Sequence, residues 1–312
     1  METLALCIPA YNAARYLPTL LQSAKEQAIP FDEILVFDDC STDDTAAIAQ
    51  EFGAKVIAGD VNRGCSFGKN ILANAVSADW IHFHDADDDI LPGFTVDIHT
   101  WIDKQGNDYD VLVLNFNYIN ADSGEYMGSA NHNSEEMHAD ALKYAITHKI
   151  VNFGVYKRDK FLNAGGFDLD LNVLYNEDNA VHQRLARYGL RFDYLEKVTC
   201  INYYHPVSMS SSNRLKCVRA NYYVLKKTAT EFGDKYPAEL AGQLWNCATL
   251  LAAEQDWEYV EKALTLSKAL GFRLFSQSSR IFNISAGISP FMAFWLREKL
   301  IRLYKPAFRK DG

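Results

Sequence analysis

Four carboxylates fall within five residues, at Asp85, Asp87, Asp88 and Asp89, directly after the run Trp80-Ile81-His82-Phe83-His84. Their mutual repulsion is costly unless a cation or solvent relieves it. Hard divalent cations take oxygen ligands, and Mg2+ or Mn2+ commonly bridges one or two carboxylates to a diphosphate. An EF-hand would need a Gly and a distal Glu at set positions, and neither follows. Two readings stand: a divalent-metal site for a diphosphate, or a solvated acidic loop. His82 and His84 alternate along the run and read as packed side chains rather than ligands.

Five other segments carry residues able to do chemistry. Pro9-Ala10-Tyr11-Asn12 ends an apolar run. A tyrosine there can lay its ring against a base, a contact worth about 1–3 kcal/mol, or the segment is a plain turn. Asp38-Asp39 precede Cys40-Ser41-Thr42-Asp43-Asp44-Thr45. An ionised carboxylate only accepts hydrogen bonds and so can select a ring N–H such as that of uracil; capping and turn chemistry is the alternative. Asn62-Arg63-Gly64-Cys65-Ser66-Phe67-Gly68-Lys69-Asn70 reads as a glycine loop entering a helix. Its N–H groups and Lys69 suit phosphate, although the GxxxxGK[ST] spacing is absent and an ordinary loop-to-helix junction reads the same way. Glu177-Asp178 open a helix after Gly165-Gly166-Phe167-Asp168. They are either dipole partners or the source of a general base for a hydroxyl. His205 ends a strand and enters a Ser-rich loop, as a structural residue or a ligand.

The elements that must position these groups alternate. Strands are expected at 4–9, 33–37, 55–57 and 80–84, with helices at 14–28, 41–52 and 67–76 between them. Such alternation gives a parallel sheet covered on both faces, with its ligand edge at the strand carboxyl ends. Ser41 or Thr42 is the expected cap of the second helix. A long strand is expected at 110–118, an exposed loop at 119–135, a helix at 177–188 and a strand from 191 to 204. Helices are expected near 214–232, 237–253, 256–270 and 290–304. The expected domain boundary is near 213.

At 312 residues, 48% hydrophobic and 23% charged, the composition is globular. Six scattered cysteines without a CxxC pair read as reduced, mostly buried thiols. The thiols suit a cytoplasmic protein, and no run of 18 apolar residues and no signal peptide is expected. Charge is uneven. Residues 214–312 hold 16 Lys and Arg against 9 Asp and Glu, leaving 15 against 31 in residues 1–213. An acidic front half argues against nucleic acid as a partner and suits a metal site.

The order of the motifs is more informative than any one of them. Strand–PAYN, strand–DDxSTDDT, NRGxSxxKN, strand–DADDD–xxP, GGFD and NED together resemble the inverting family 2 glycosyltransferases over residues 3–212. The resemblance implies a GT-A (Rossmann-like) α/β fold with a mixed, mostly parallel sheet flanked by helices, here followed by a C-terminal helical extension. It implies that Pro9 and Tyr11 contact the nucleotide base and that Asp39 recognises the base N–H. Lys69 stands where the family usually has Arg, as a phosphate contact. Asp85-Ala86-Asp87 match the DxD motif, with Asp85 on the donor sugar or ribose and Asp87 on Mn2+ or Mg2+. Asp178 matches the catalytic base, and His205 resembles a histidine that completes the metal site. The implied partners are a nucleotide-sugar donor, with UDP favoured because Asp39 and Tyr11 suit uracil, and a glycan or lipid-linked acceptor of cell-surface polysaccharide or lipopolysaccharide assembly. A nucleotidylyltransferase would carry a Gly-rich basic loop after strand one, which PAYNAARY is not; a degenerate domain acting as a scaffold is the non-enzymatic alternative.

The segment 281–304 combines apolar residues with Arg297, Lys299 and Arg302, and Lys305 follows. Phe291, Phe294, Trp295, Leu296, Leu300, Ile301 and Leu303 are expected to share an apolar face. That face either packs on the catalytic domain or lies on the anionic inner face of the cell membrane. A helical protein-docking module is the other option.

Overall fold

The computed structural model describes residues 2–151, 153–205, 212–271 and 280–305. It divides into two units, one of residues 1–145 and 149–212, the other of residues 146–148 and 213–312.

In the first unit, an apolar run buried on both faces forms the central strand. Leu4, Ala5, Leu6, Cys7 and Ile8 of β1 (Leu4–Ala10) are fully buried. Each large apolar side chain so enclosed contributes about 1.5–3 kcal/mol. Around it lie β2 (Glu33–Asp38), β3 (Lys55–Ala58) and β4 (Trp80–Phe83), all parallel, in the order β3-β2-β1-β4. The connecting helices are α1 (Leu17–Lys25), α2 (Thr45–Glu51) and α3 (Cys65–Ala75). The β1–β4 ladder ends at Cys7 and Phe83, so Pro9, which has no N–H to donate, lies past the end of β4 and forfeits no bond to it. The carboxyl ends of β1, β2 and β4 share one edge, which receives Tyr11, Asp39 and Asp85.

The second half of the sheet turns mixed. After β5 (Asp89–Ile90) and α4 (Phe94–Gln105) come β6 (Val111–Asn120), β7 (Tyr126–Ser129), α5 (Ser134–Ala139), α6 (Ala141–Thr147), β8 (Gly154–Lys157), α7 (Arg158–Asn163), α8 (Glu177–Arg187) and β9 (Phe192–Tyr204). β8 is antiparallel to both β4 and β6, β9 runs parallel to β6, and the short β5 pairs antiparallel with β9. The β5–β9 pairing fastens the acidic loop to the far side of the sheet. The parallel ladders still carry most of the paired residues, as the mixed, mostly parallel reading requires.

Three local expectations change. The helix expected from Ser41 or Thr42 begins at Thr45, because Ser41 Oγ accepts the Asn12 N–H and Thr45 Oγ1 accepts the Ala13 N–H. The hydroxyls tie two turns together instead of capping. The segment 119–135 is not all loop: it contains β7, paired with β6, and the start of α5. Helix α4 had a legible signal that the sequence reading passed over. Gly93 takes a left-handed N-cap conformation (φ 84°), and Phe94, Ile98, Trp101 and Ile102 form a buried stripe at helical spacing.

The second unit is helical: α9 (Arg214–Phe232), α10 (Pro237–Ala253), α11 (Trp257–Ala269), α12 (Arg280–Ile288) and α13 (Pro290–Tyr304). Pro237 and Pro290 each sit in a first turn, where no N–H partner is lost. Leu240, Leu244, Ala248 and Leu251 of α10 are fully buried, and Ser267 of α11 donates to the Ala241 carbonyl at 2.8 Å. No helix among the described residues is long and apolar enough to cross a membrane.

One clamp in the first unit deserves a test. The Asn70 amide on α3 accepts the Phe167 N–H at 2.8 Å and donates to the Phe167 carbonyl at 2.9 Å. The adjacent Gly166 (φ 60°) has no room for a Cβ, which would lie 2.4 Å from Asn70 Oδ1. Asn70→Ala leaves both Phe167 groups unpaired in a buried turn. We expect a loss of about 1–3 kcal/mol in urea denaturation; an unchanged midpoint would show that the clamp is dispensable.

Candidate active site

Two turns at the sheet edge are latched to each other. Asn12 (φ 50°) and Cys40 (φ 64°) occupy left-handed conformations that cost non-glycine residues energy. Asn12 Oδ1 accepts the Thr42 N–H at 2.8 Å, and Asp43 Oδ2 accepts the Ala14 N–H at 3.1 Å. These bonds offset the strain and leave Tyr11 projecting from the turn, 51% exposed.

The paired acids Asp38 and Asp39 part company. Asp38 accepts the Ser41 N–H at 3.1 Å, an ordinary turn role. Asp39, 4% exposed, accepts the Arg63 N–H at 2.9 and 3.1 Å and the Gly64 N–H at 2.7 Å. It thereby pins the glycine loop beside the end of β2. A carboxylate offers about four acceptor positions, so these two donors leave capacity for one more.

The four clustered carboxylates also divide. Asp88, 2% exposed, accepts from Asn202 Nδ2 and from the Tyr203 N–H, both at 2.8 Å. Burial and then the charge of Asp87 push its carboxyl well above the usual range. Asp89 accepts the Tyr203 hydroxyl at 2.8 Å. These two acids bind the loop to β9. Asp85 and Asp87 flank the buried Ala86 and remain for other work. Burial, and next to it the charge of Asp85, raises the Asp87 carboxyl. A half-buried carboxylate facing a like charge is what a divalent cation relieves, so the donor set fits such an ion.

Lys69 is almost fully buried on α3. Its Nζ lies 3.3 Å from Asp85 Oδ1 and 3.5 Å from Asp178 Oδ1. Burial opposes its charge, but Asp85 and Asp178 outweigh that cost and hold its pKa well above the ordinary value. Asp178 stands in the first turn of α8, beside the buried Glu177. Burial and the Asp178 charge push Glu177 up to about 7. The Cys65 thiol donates to Glu177 Oε1 at 3.3 Å and is itself raised well above its ordinary value, by burial first and Glu177 second.

The His205 ring meets Tyr16 edge-on at 5.6 Å. It lies close to Asp87. Behind the edge, His82 Nδ1 bonds the Gly154 carbonyl at 2.9 Å, and His82 Nε2 bonds His84 Nδ1 at 3.0 Å. His84 stacks on Phe153 at 4.7 Å. Cys200 joins them in one fully buried group. Burial holds His82 down at about 4 and, with His82 alongside, His84 well below its ordinary value. Neutral packed rings fit that enclosure.

Tyr11, Asp39, Lys69, Asp85, Asp87, Asp178 and His205 thus gather along one face of the sheet edge, with Pro9 in the strand beneath. The sequence reading named Asn12 only within PAYN, with no role of its own in the turn, took Asp178 rather than Glu177 from the acid pair as the base, and gave Cys65 no part. Asn12 follows Tyr11 directly, and Asn tolerates the left-handed region better than most residues; that was its signal. The Cys65–Glu177 contact spans 112 positions and left none.

A family model described as "Glycosyl transferase family 2" matches residues 5–163. The chain belongs to this family. Among curated relatives, an uncharacterized glycosyltransferase of Haemophilus influenzae is 25% identical over 181 residues, 56% of this chain and 60% of its own. The poly(ribitol-phosphate) beta-N-acetylglucosaminyltransferase TarS of Staphylococcus aureus is 30% identical over 128 residues, 38% of this chain and 22% of its own. The match therefore spans less than two thirds of either relative's length. Among solved structures, S. aureus TarS 1–349 in complex with UDP-GlcNAc aligns at TM-score 0.57 and 18% identity, covering 86% of this chain and 90% of that one. The mannosyltransferase PcManGT of Pyrobaculum calidifontis, in complex with GDP-Man and Mn2+, aligns at TM-score 0.59 and 16% identity, covering 99% and 84%. At these identities the likeness establishes the fold, which is GT-A.

The raised Glu177 carboxyl has a consequence for this family 2 domain. Its folded pKa lies above its unfolded value, so its contribution to stability is fully present below about 4.5 and is lost as pH rises through about 7. Glu177→Gln cannot ionise. We expect its unfolding free energy to fall less than that of the parent protein between pH 4.5 and 7.5. Parallel stability curves for the two proteins would show that Glu177 does not titrate in this window.

Proposed function

We propose that the chain transfers a sugar, with inversion, from a nucleotide-diphosphate donor to a hydroxyl acceptor. A UDP-sugar is the favoured donor. The observation that carries this reading is the convergence of Asp39, Asp85, Asp87 and Asp178 on one sheet edge, with the Lys69 ammonium 3.3 and 3.5 Å from two of them.

In this reading Tyr11 lays its half-exposed ring on the base and Pro9 shapes the strand end beneath it. Asp39 accepts the base N–H with its remaining capacity, which suits uracil. Asp85 holds the donor sugar or ribose. Lys69, whose ammonium carries three N–H donors, places positive charge beside Asp85 for the donor phosphates. Asp87 and His205 would hold Mn2+ or Mg2+, which supplies charge neutralisation to the diphosphate leaving group when bound. Asp178 takes the acceptor hydroxyl proton as that oxygen attacks the anomeric carbon. The bond from the anomeric carbon to the diphosphate oxygen breaks, its electron pair leaves with the diphosphate, and the proton stays on Asp178. A single displacement inverts the anomeric centre.

The acceptor is a glycan or a lipid-linked saccharide in cell-surface polysaccharide or lipopolysaccharide assembly. Support comes from TarS and from the minor teichoic acid biosynthesis protein GgaB of Bacillus subtilis, which is 24% identical over 231 residues, 70% of this chain and 24% of its own. The protein then works in the cytoplasm. The boundary near 213 separates the catalytic domain 1–213 from helices 214–312 that serve acceptor, membrane or partner docking. A degenerate domain used as a scaffold is disfavoured by the retention of Asp39, Asp87 and Asp178 at one edge.

Calorimetric titration of UDP with and without Mn2+ tests the donor site. We expect metal-dependent binding that Asp87→Ala abolishes; unchanged affinity in that variant would remove Asp87 from the metal site. Failure of UDP, GDP and dTDP alike would bring the scaffold forward. Asp178→Asn should bind UDP as the parent does while transfer falls by about 10²–10⁴-fold. Transfer at the parental rate would mean that another group takes the proton.

A further inference from the structure

Helix α13 is fixed on one side and bare on the other. Ala293, Phe294 and Glu298 are buried. The Phe294 ring meets Trp245 of α10 at 5.0 Å, and Arg302 donates to the Ala253 carbonyl at 2.6 Å. These contacts set the rotation of the helix. The residues left outside are apolar: Met292, Leu296, Leu300 and Leu303 are 47, 46, 54 and 68% exposed. Their spacing of four, four and three residues aligns them in one stripe along the helix. At the end of α12, Ile288 is 85% exposed. The stripe differs from the face expected from sequence, because Phe294 turns inward and Met292 takes its place outside.

Along the helix itself the exposed charge has one sign. Between 290 and 305 the basic residues are Arg297, Lys299, Arg302 and Lys305, and the single acid, Glu298, is buried. By helical geometry Lys299 and Trp295 border one side of the stripe, and Arg297 and Tyr304 the other. The Lys299 ammonium sits 5.4 Å from the Trp295 ring. Apolar residues between amphipathic aromatics and cations match a bilayer interface, where chains are apolar, the headgroup level accepts Trp and Tyr, and anionic lipids attract Lys and Arg. The surplus of basic residues across 214–312 has the same sign.

We propose that α13, with Ile288 before it, lies on an anionic lipid bilayer through this stripe. The occupant is the membrane surface and not a second protein, because every charge that flanks the apolar residues on this helix is basic and the other flanking residues are the amphipathic Trp295 and Tyr304. The proposal rests on the helical unit by itself and does not depend on the donor chemistry.

Co-sedimentation of the full chain with vesicles is the test, using equal parts phosphatidylglycerol and phosphatidylcholine against phosphatidylcholine alone. We expect at least about tenfold stronger partitioning onto the anionic vesicles, weakened by added salt. Lys299→Gln should lower partitioning about fivefold. The double variant Leu296→Gln, Leu300→Gln should lower it by at least about tenfold. Both positions are exposed, so the unfolding midpoint should stay within error of the parent, and so should UDP titration. Equal partitioning of the double variant and the parent overturns the proposal. So does failure of the parent to bind either vesicle, and so does self-association in sedimentation equilibrium that the double variant abolishes without any vesicle binding.

Discussion

The site depends on one buried ammonium. Lys69 lies 3.3 Å from Asp85 and 3.5 Å from Asp178, and Glu177 and Asp87 stand close by. Bringing so many carboxylates to one sheet edge without a counter-charge would be prohibitive, as would burying a lone lysine. Each makes the other tolerable. Three separate elements are joined by this arrangement: α3 delivers Lys69, the loop after β4 delivers Asp85, and the start of α8 delivers Asp178. A group proposed to hold the donor and a group proposed to deprotonate the acceptor therefore share a cation. In a low-dielectric setting such pairs are felt strongly, so a charge placed at Asp85 is sensed at Asp178.

Residues of one type take different tasks according to what surrounds them. Asp88 and Asp89 hold the acidic loop to β9, while Asp85 and Asp87 keep their oxygens for the site. Asp38 and Asp43 tie turns, whereas Asp39 reaches across to the glycine loop. The left-handed Asn12 and Cys40 lie at the same edge, where their strain is offset by bonds between the two turns. Four of these seven acids are thus scaffolding for the other three. The helical unit follows a different rule, since its exposed stripe makes no use of the carboxylates and is set by which face of α13 the neighbouring helices cover.

Much of this organisation was legible in the residues alone, for physical reasons. Runs such as Leu4–Ile8 are apolar at successive positions, which only a strand buried on both faces needs, and the alternation with helices of ten or so residues implies parallel crossovers and a shared ligand edge. Ordered motifs at the ends of those runs marked Tyr11, Asp39, Asp85 and Asp87 as candidates, and the acid pair opening a later helix marked Asp178. The period of the apolar residues located the later helices, α9, α10, α11 and α13, to within a residue or two. Local chemistry of this kind is carried by neighbours in the chain, so the chain states it.

The tertiary structure decided what depends on partners distant in sequence. Four successive carboxylates look alike until Asn202 and Tyr203 engage two of them. Lys69 reads from sequence as a phosphate contact, but nothing in the chain says that α3 and α8 also set it against Asp178, 109 positions away by numbering. Ser41 reads as a helix cap until Asn12 arrives to use its hydroxyl. On α13, sequence period shows that an apolar face exists, but the exposed residues are determined by Trp245 and Ala253 on another helix. Residue types and spacing determined the fold and the kind of chemistry; which carboxylate is free, which cation is buried and which face is bare were settled by long-range packing, because desolvation and pairing exist only once the elements meet.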